Sequence, residues 1–183
     1  MRIIDIISQL KKRLIKYVLS PVSYAKYLGV TVGENNLMQK NHWSTEPYLI
    51  TIGSNCQLTN CRIHTHGGGN VIRNKYPSYD SFGKVIIGDW VYIGTDAQIM
   101  PGVTIGNNVL VAAGSIVTKS VPSGFVVAGC PAKIIGTTED YVERNLKWDV
   151  GSKGYKPNKK KQYLLSLPNN RFIVRPYLEY VQK

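Results

Sequence analysis

The sequence predicts an all-β fold, a parallel β-helix assembled from six-residue repeats. Within residues 87–122, a large aliphatic residue recurs at every sixth position: Ile87, Ile93, Ile99, Ile105, Val111 and Val117. A small or β-branched residue follows four positions after each of them, and glycine follows directly at positions 88, 94 and 106. Neither an α-helix nor a hairpin has this period. Each hexapeptide is therefore predicted to form one flat face of a coil.

Three hexapeptides close one turn of such a coil, so residues 18 positions apart lie on top of each other. The predicted stacks are Ile87 under Ile105, Ile93 under Val111, and Ile99 under Val117. Each coil buries its aliphatic side chains only against its neighbours, as in other solenoids. The repeats therefore form a scaffold, and functional side chains are expected at the corners and in insertions.

Three stretches of the chain resemble the hexapeptide-repeat acyltransferases: the repeats themselves, the lead-in Glu46–Leu49 and the closing segment Ser123–Gly136. The lead-in is similar to that of polysaccharide and xenobiotic acetyltransferases in this superfamily. The resemblance covers about residues 29–140. It implies a left-handed β-helix, acetyl-CoA as co-substrate, and a homotrimer in which a loop of one subunit closes over its neighbour.

The chain divides into three predicted segments. Residues 1–28 form an N-terminal helical segment, in which an amphipathic helix ends before Pro21. This helix either caps the open end of the β-helix or contacts an anionic membrane through residues 1–18. Residues 29–136 form the β-helix domain, interrupted by an extruded loop at about 64–84. Residues 137–183 form a short helix and a basic extension, with a linker at 151–162.

The 183 residues carry 23 Lys and Arg against 11 Asp and Glu, a net charge of +12 concentrated outside the repeats. The repeats lack the aromatic stripe that nucleic-acid binding would require, so no nucleic-acid partner is expected. There is no apolar run long enough to span a membrane and no signal-peptide cleavage site, which predicts a cytoplasmic protein, with the inner membrane face as a peripheral location. The three cysteines form no Cys-x-x-Cys pair and are expected to be reduced packing residues.

Acetyl transfer from a thioester to a hydroxyl needs a base for the hydroxyl proton and a site that holds both substrates. Histidine is the side chain that titrates near neutrality. His66 lies in Thr65-His66-Gly67-Gly68, which resembles the Thr-His-Asp-Gly-Gly motif of the family, with Gly67 in place of Asp. The resemblance implies that His66 is the catalytic base. His64 alternates with it and is expected to point away from the site.

The histidines also permit a metal interpretation, since a left-handed β-helix carbonic anhydrase binds zinc through three histidines. The candidate ligands here are His42, His64 and His66. His42 lies in an irregular segment, and the Arg, Gln and Asp context of such an enzyme is missing. We therefore predict no metal.

The same resemblance implies six residues that bind acetyl-CoA. Thr95 matches a hydroxyl on the thioester side, Ala113 a small residue beside pantetheine, and Tyr92 a cleft aromatic that is often Trp. Near the phosphates the matching residues are the pair Thr118 and Lys119, together with Lys133. A second basic residue of the family, three positions after Lys133, is replaced by glycine.

The sequence thus predicts an acetyl-CoA-dependent O-acetyltransferase with His66 as base. Its expected acceptor is a glycan or sugar hydroxyl in the biosynthesis of a surface polysaccharide such as capsule, O-antigen or exopolysaccharide. The alternatives are N-acetylation of a nucleotide-linked amino sugar, acetylation of a xenobiotic, and a β-helix that binds a partner without catalysis.

Overall fold

Three parallel sheets form the sides of a β-helix. The computed structural model describes Ile15, residues 17–177 and Glu179. Sheet A contains β1 (Thr31–Val32), β4 (Ile50–Ile52), β7 (Val85–Ile87) and β10 (Thr104–Ile105). Sheet B contains β2 (Leu37–Met38), β5 (Gln57–Leu58), β8 (Tyr92–Ile93), β11 (Leu110–Val111), β13 (Phe125–Gly129) and β14 (Ala132–Thr137). Sheet C contains β3 (His42–Trp43), β6 (Arg62–Ile63), β9 (Gln98–Ile99) and β12 (Ile116–Val117). The chain visits the sheets in the order A, B, C in each coil, and an antiparallel pairing of β13 with β14 ends the series.

The predicted stacking of the aliphatic residues is confirmed. The pairs in register are Ile87 with Ile105, Ile93 with Val111, and Ile99 with Val117. All six side chains are at most 1% exposed, and together with the equivalent residues of the other coils they form one continuous core. Burying apolar area stabilises a fold by roughly 25 cal/mol per Å². This stabilisation is therefore spread along the whole axis of the β-helix.

The corners between sheets use short polar residues in the left-handed backbone region. Five of the six non-glycine residues with positive φ among the described residues are Asn or Asp: Asn35, Asn55, Asn60, Asp96 and Asn108. Their short side chains tolerate this conformation at low cost. The sixth is Trp90, whose side chain is exposed.

One edge of the β-helix carries the two insertions of the coil section. At this edge, where the chain passes from sheet C to sheet A, the segments are 44–49, 64–84, 100–103 and 118–121; we call it the C–A edge. Segment 44–49 includes a 3-10 turn at Pro47–Leu49, and segment 64–84 is the extruded loop, with a short helix α2 (Gly69–Arg73). The next edge, between sheets B and C, carries 39–41, 59–61, 94–97 and 112–115 and is called the B–C edge.

The structure has a helix near the N-terminus that was not predicted. The helix expected to end before Pro21 lies mostly outside the described residues. Directly after it, however, α1 (Pro21–Leu28) is a helix that the sequence interpretation missed. Ser20 caps it by accepting a hydrogen bond from the backbone N–H of Ser23, and proline is favoured at the first helical position because its missing N–H needs no partner there.

The chain forms two compact units, residues 1–139 and 140–183. Helix α3 (Thr138–Leu146) spans this division, and α4 (Pro157–Ser166) lies in the second unit. The predicted linker at 151–162 is therefore wrong in its second half: Pro157 starts a helix there, and the following Asn, Lys and Gln residues include no β-branched side chain. Inside this unit the Tyr163 hydroxyl donates a hydrogen bond to the Val150 carbonyl at 2.8 Å.

The charge is divided unevenly along the chain. Residues 29–139 contain seven Lys and Arg and six Asp and Glu, whereas residues 140–183 contain ten and four. Most of the net positive charge is therefore carried outside the coils.

No helix among the described residues has the length and hydropathy needed to cross a bilayer.

The cysteines follow the expectation in part. Cys56 and Cys61 are buried, free thiols, and burial raises the pKa of Cys61 to about 12. Cys130 is exposed at the turn between β13 and β14, so its prediction as a packing residue is wrong.

The close approach of neighbouring coils predicts that Gly94→Ala destabilises the protein. An added Cβ at Gly94 would lie 2.5 Å from the backbone nitrogen of Ala113, a rigid part of the next coil. We expect a loss of about 1–3 kcal/mol in the free energy of unfolding, measured by urea denaturation. The matched control is Gly136→Ala, where the added Cβ meets nothing within 4 Å. Equal stability of the two variants would contradict this account of coil spacing.

Candidate active site

A histidine and a carboxylate lie in contact at the C–A edge. His66 follows β6, and its Nδ1 lies 2.7 Å from Oε2 of Glu46, which follows β3 in the coil below. The pairing of β3 with β6 joins residues 20 positions apart, as Trp43 with Ile63. The same offset relates Glu46 to His66, so the coil register brings the two side chains together.

Glu46 is held by hydroxyl groups as well as by the histidine. The hydroxyl of Thr45 donates to Oε1 at 2.6 Å, and the hydroxyl of Thr65, itself fully buried, donates to Oε2 at 2.9 Å. The hydrogen bond from Thr45, then those from Thr65 and His66, lower the pKa of Glu46 from 4.5 to about 2, against an opposing effect of desolvation. The carboxylate is therefore ionised at neutral pH.

This ionised carboxylate determines which nitrogen of His66 carries the proton. A carboxylate only accepts hydrogen bonds, so Nδ1 of His66 is the donor to Glu46. In the neutral imidazole, Nε2 then has a free lone pair and can accept a proton. The side chain of His66 is 42% exposed, so a substrate hydroxyl can reach it. Phe82 packs against the imidazole with ring centroids 5.7 Å apart.

His64 has a different environment from His66. It precedes the buried Thr65, and its Nε2 lies 3.2 Å from Oε1 of Gln98 in the next coil. His42 lies on β3 in register with Arg62 and is exposed. Among the residues described, no group of three His, Cys, Asp or Glu side chains could hold a metal ion. Within the described part of one chain, His42, His64 and His66 are thus not brought together as a three-ligand group.

A groove near the C–A edge, called the donor groove below, contains three of the six predicted donor-binding residues. Its volume is about 390 Å³, and Thr118, Lys119 and Lys133 line it together with the apolar residues Val117, Val121, Pro122, Val127 and Ile134. Thr118 and Lys119 occupy the corner two coils above that of His66. With about 4.8 Å between strands, this corresponds to roughly 10 Å along the β-helix axis.

The other three predicted donor-binding residues lie elsewhere. Thr95 and Ala113 lie in neighbouring coils of the B–C edge, where the backbone N–H of Gly114 donates to the Thr95 carbonyl at 2.8 Å. Tyr92 lies on the outer face of sheet B, in register with Leu110. Sheet C separates the B–C edge from the C–A edge, so one chain does not bring all six residues into a single groove.

The sequence interpretation missed the contact between Glu46 and His66. It identified Glu46–Leu49 as a family lead-in but did not place that segment relative to His66. The length of the coil could have revealed this contact, because a coil of 20 residues places position 46 directly below position 66. The carboxylate beside the histidine thus comes from the coil below, and position 67, where the family motif has Asp, is an exposed glycine.

Comparison with known proteins identifies relatives of this chain. The family model "Bacterial transferase hexapeptide (six repeats)" matches residues 84–119. Protein CapG of Staphylococcus aureus is 40% identical over 151 residues, which cover 79% of this chain and 88% of CapG. The galactoside O-acetyltransferase of Escherichia coli K12 is 34% identical over 127 residues, 68% of this chain and 62% of that protein.

A solved structure shares the fold. The structure of galactoside acetyltransferase in complex with coenzyme A aligns with a TM-score of 0.52 and 25% sequence identity, over 73% of this chain and 82% of that one. These proteins are relatives of the chain, and the similarity extends over most of its length.

The low pKa of Glu46 predicts how its contribution to stability varies with pH. Its pKa is about 2 in the folded protein and near 4.5 without these contacts, so the stabilisation is complete above pH 4.5 and is lost as the pH falls to 2. Glu46→Gln should therefore lower the melting temperature most above pH 4.5, and the difference from the unmodified protein should disappear near pH 2. Thermal melts followed by circular dichroism measure this.

The control for this experiment is Glu34→Gln. Glu34 is exposed, and its described hydrogen bonds involve only its backbone N–H and carbonyl. We expect little change in melting temperature for this variant at any pH. A difference for Glu46→Gln that stays constant between pH 7 and pH 2 would contradict the assignment of the ionised carboxylate.

Proposed function

The chain belongs to the hexapeptide-repeat acetyltransferase family, and on that premise we propose that it transfers an acetyl group from acetyl-CoA to a sugar hydroxyl. Membership makes it an acetyltransferase, the activity named for its relatives. The relative active on galactosides and the neighbour solved with coenzyme A support the choice of acceptor and donor. The observation that carries the proposal is the Glu46–His66 pair at the C–A edge.

His66 acts as the general base in this proposal. With its Nδ1 proton held by Glu46, Nε2 takes the proton of the acceptor hydroxyl as the oxygen attacks the thioester carbonyl. Acetyl-CoA supplies the activated acetyl group, so no covalent enzyme intermediate is required. The ionised Glu46 stabilises the imidazolium, which then returns the proton to the departing thiol.

Lys119 and Lys133 would hold the phosphates of the donor in the 390 Å³ groove. Both are exposed cations, and ammonium groups form strong charge-assisted hydrogen bonds with phosphate oxygens. Thr118 also lines this groove. From there the pantetheine arm would extend along the C–A edge over about two coils to reach His66.

The homotrimer is part of the proposal. Thr95, Ala113 and Tyr92 lie away from the C–A edge, so a site shared between subunits would allow both edges of the β-helix to contribute to one donor molecule. The left-handed coil follows from the family. A cytoplasmic location, peripheral contact with a membrane through residues 1–18, and a role in surface polysaccharide biosynthesis also remain proposals.

The base assignment predicts opposite outcomes for two neighbouring histidines. His66→Ala should lower turnover by about 10²–10⁴, the usual contribution of a general base, and leave the KM for acetyl-CoA nearly unchanged. His64→Ala serves as the control, because its ring interacts with Gln98. Release of coenzyme A thiol with a panel of sugar acceptors measures both variants. Near-full turnover in His66→Ala, with loss in His64→Ala, would refute the assignment.

The donor groove predicts a phosphate-specific effect. Lys119→Ala and Lys133→Ala should each raise the KM for acetyl-CoA by about tenfold, the equivalent of one charge-assisted hydrogen bond. The KM for acetyl-pantetheine, which lacks the nucleotide phosphates, should not change. Lys40→Ala, an exposed lysine outside the groove, is the matched control. If both groove variants leave the KM for acetyl-CoA unaltered, the phosphates bind elsewhere.

A further inference from the structure

A second cavity lies within the extruded loop, beside the imidazole of His66. It has a volume of about 240 Å³ and lies outside the donor groove. Its lining residues come from the start of the loop, from α2 and from the irregular segment that leads back towards β7: His66, Gly67, Gly68, Gly69, Asn70, Arg73, Asp80 and Ser81. A Cβ added at Gly67 or Gly68 would meet nothing within 4 Å, so the side of the cavity next to the imidazole is open.

The charges in this cavity cancel each other. Arg73 Nη2 donates to Oδ1 of Asp80 at 2.9 Å, and its Nε donates to the Tyr79 carbonyl at 2.8 Å. The two side chains are 44% and 56% exposed, so both remain accessible from the cavity. Among the residues that line the cavity, Arg73 is the cation and Asp80 is its counter-ion. An anionic ligand would therefore have to compete with Asp80 for the guanidinium.

The remaining polar groups suit a molecule with several hydroxyls. Oδ2 of Asp80 and Nη1 of Arg73 have no hydrogen-bond partner within the part of the chain that the structure describes. Asn70 adds an amide, which both donates and accepts, and Ser81 adds a hydroxyl. Neighbouring hydroxyls of a sugar ring also donate and accept, so they can satisfy a carboxylate oxygen and a guanidinium N–H side by side.

We propose that this cavity binds the acceptor, with Asp80, Arg73 and Asn70 as specificity-determining residues, and that it selects a neutral pyranose over an anionic sugar. The inference rests on the proposed function, since it places the acceptor hydroxyl beside Nε2 of His66. The small volume favours a single ring in contact with the loop. Discrimination arises because binding a carboxylate-bearing sugar would place its charge next to Asp80.

Kinetics with paired acceptors test the inference. The probes are the methyl glycosides of galactose and glucose and the corresponding methyl glycosides of galacturonic and glucuronic acid. The unmodified protein should use the neutral sugar at least about tenfold better in kcat/KM than its uronate counterpart. Asp80→Asn removes the counter-ion of Arg73, so it should raise the acceptor KM for neutral sugars roughly tenfold and narrow or reverse the preference over uronates.

Two controls show whether the change in acceptor preference comes from the loss of the Asp80 charge. Lys75→Gln removes a charge from the same loop, but Lys75 lies over the ring of Tyr76 and does not line the cavity, so acceptor preference should not change. The KM for acetyl-CoA should stay the same in both loop variants, and an unchanged melting temperature shows that Asp80→Asn still folds. Equal use of neutral and uronate acceptors by the unmodified protein, or an unchanged preference in Asp80→Asn, would overturn the inference.

Failure of the proposed function is distinguishable from failure of the inference. If no sugar accelerates release of coenzyme A, the proposed function is wrong, and saturation-transfer NMR with the same glycosides decides the inference. Binding of the neutral glycosides that is weakened by Asp80→Asn and not by Lys75→Gln then supports the cavity as a neutral-sugar site. Absence of binding, or equal binding of the uronates, overturns it.

Discussion

The vertical pairing of successive coils is the constraint on which the whole structure depends. Each strand from β1 to β12 contributes only two or three residues to a sheet, so no coil buries its aliphatic side chains without the coils above and below. Backbone pairing at about 4.8 Å then aligns positions that are 18 or 20 residues apart in these coils, and 35 or 36 apart where the extruded loop intervenes. Residues that are one coil apart in sequence therefore lie next to each other, at the corners as well as in the core.

The Glu46–His66 pair is a direct consequence of that alignment. Two residues that look unrelated in sequence occupy the same corner in adjacent coils, and the buried Thr65 connects them by donating to the carboxylate. The aliphatic stacks make the corner rigid, and the hydroxyl groups keep Glu46 ionised. In the proposed mechanism, the base and its carboxylate partner therefore come from two coils at one edge, while the flat faces of the sheets serve as scaffold.

A feature can be predicted from the sequence when the residues that produce it are close together along the chain or follow a regular period. The six-residue period is local, so the register of Ile87 with Ile105 could be derived from sequence alone. Position 46 could have been placed below position 66 only by counting the length of an irregular coil, and that step was missed. The ion pair of Arg73 with Asp80 depends on how the extruded loop folds back, for which the sequence offers no period. Helix α1 was missed because Pro21 was interpreted only as the end of a helix and not as the start of the next one.

The central claim is that the C–A edge carries a binding group for the donor phosphates at Lys119 and, two coils lower, the base at His66. The most direct measurement is a crystal structure of the protein with coenzyme A and a neutral sugar. The account predicts phosphates beside Lys119 and Lys133, the sulfur at the His66 end of the edge, and a sugar hydroxyl within hydrogen-bond distance of Nε2. Coenzyme A with its sulfur away from His66, or an imidazole bound to Glu46 through Nε2, would contradict it.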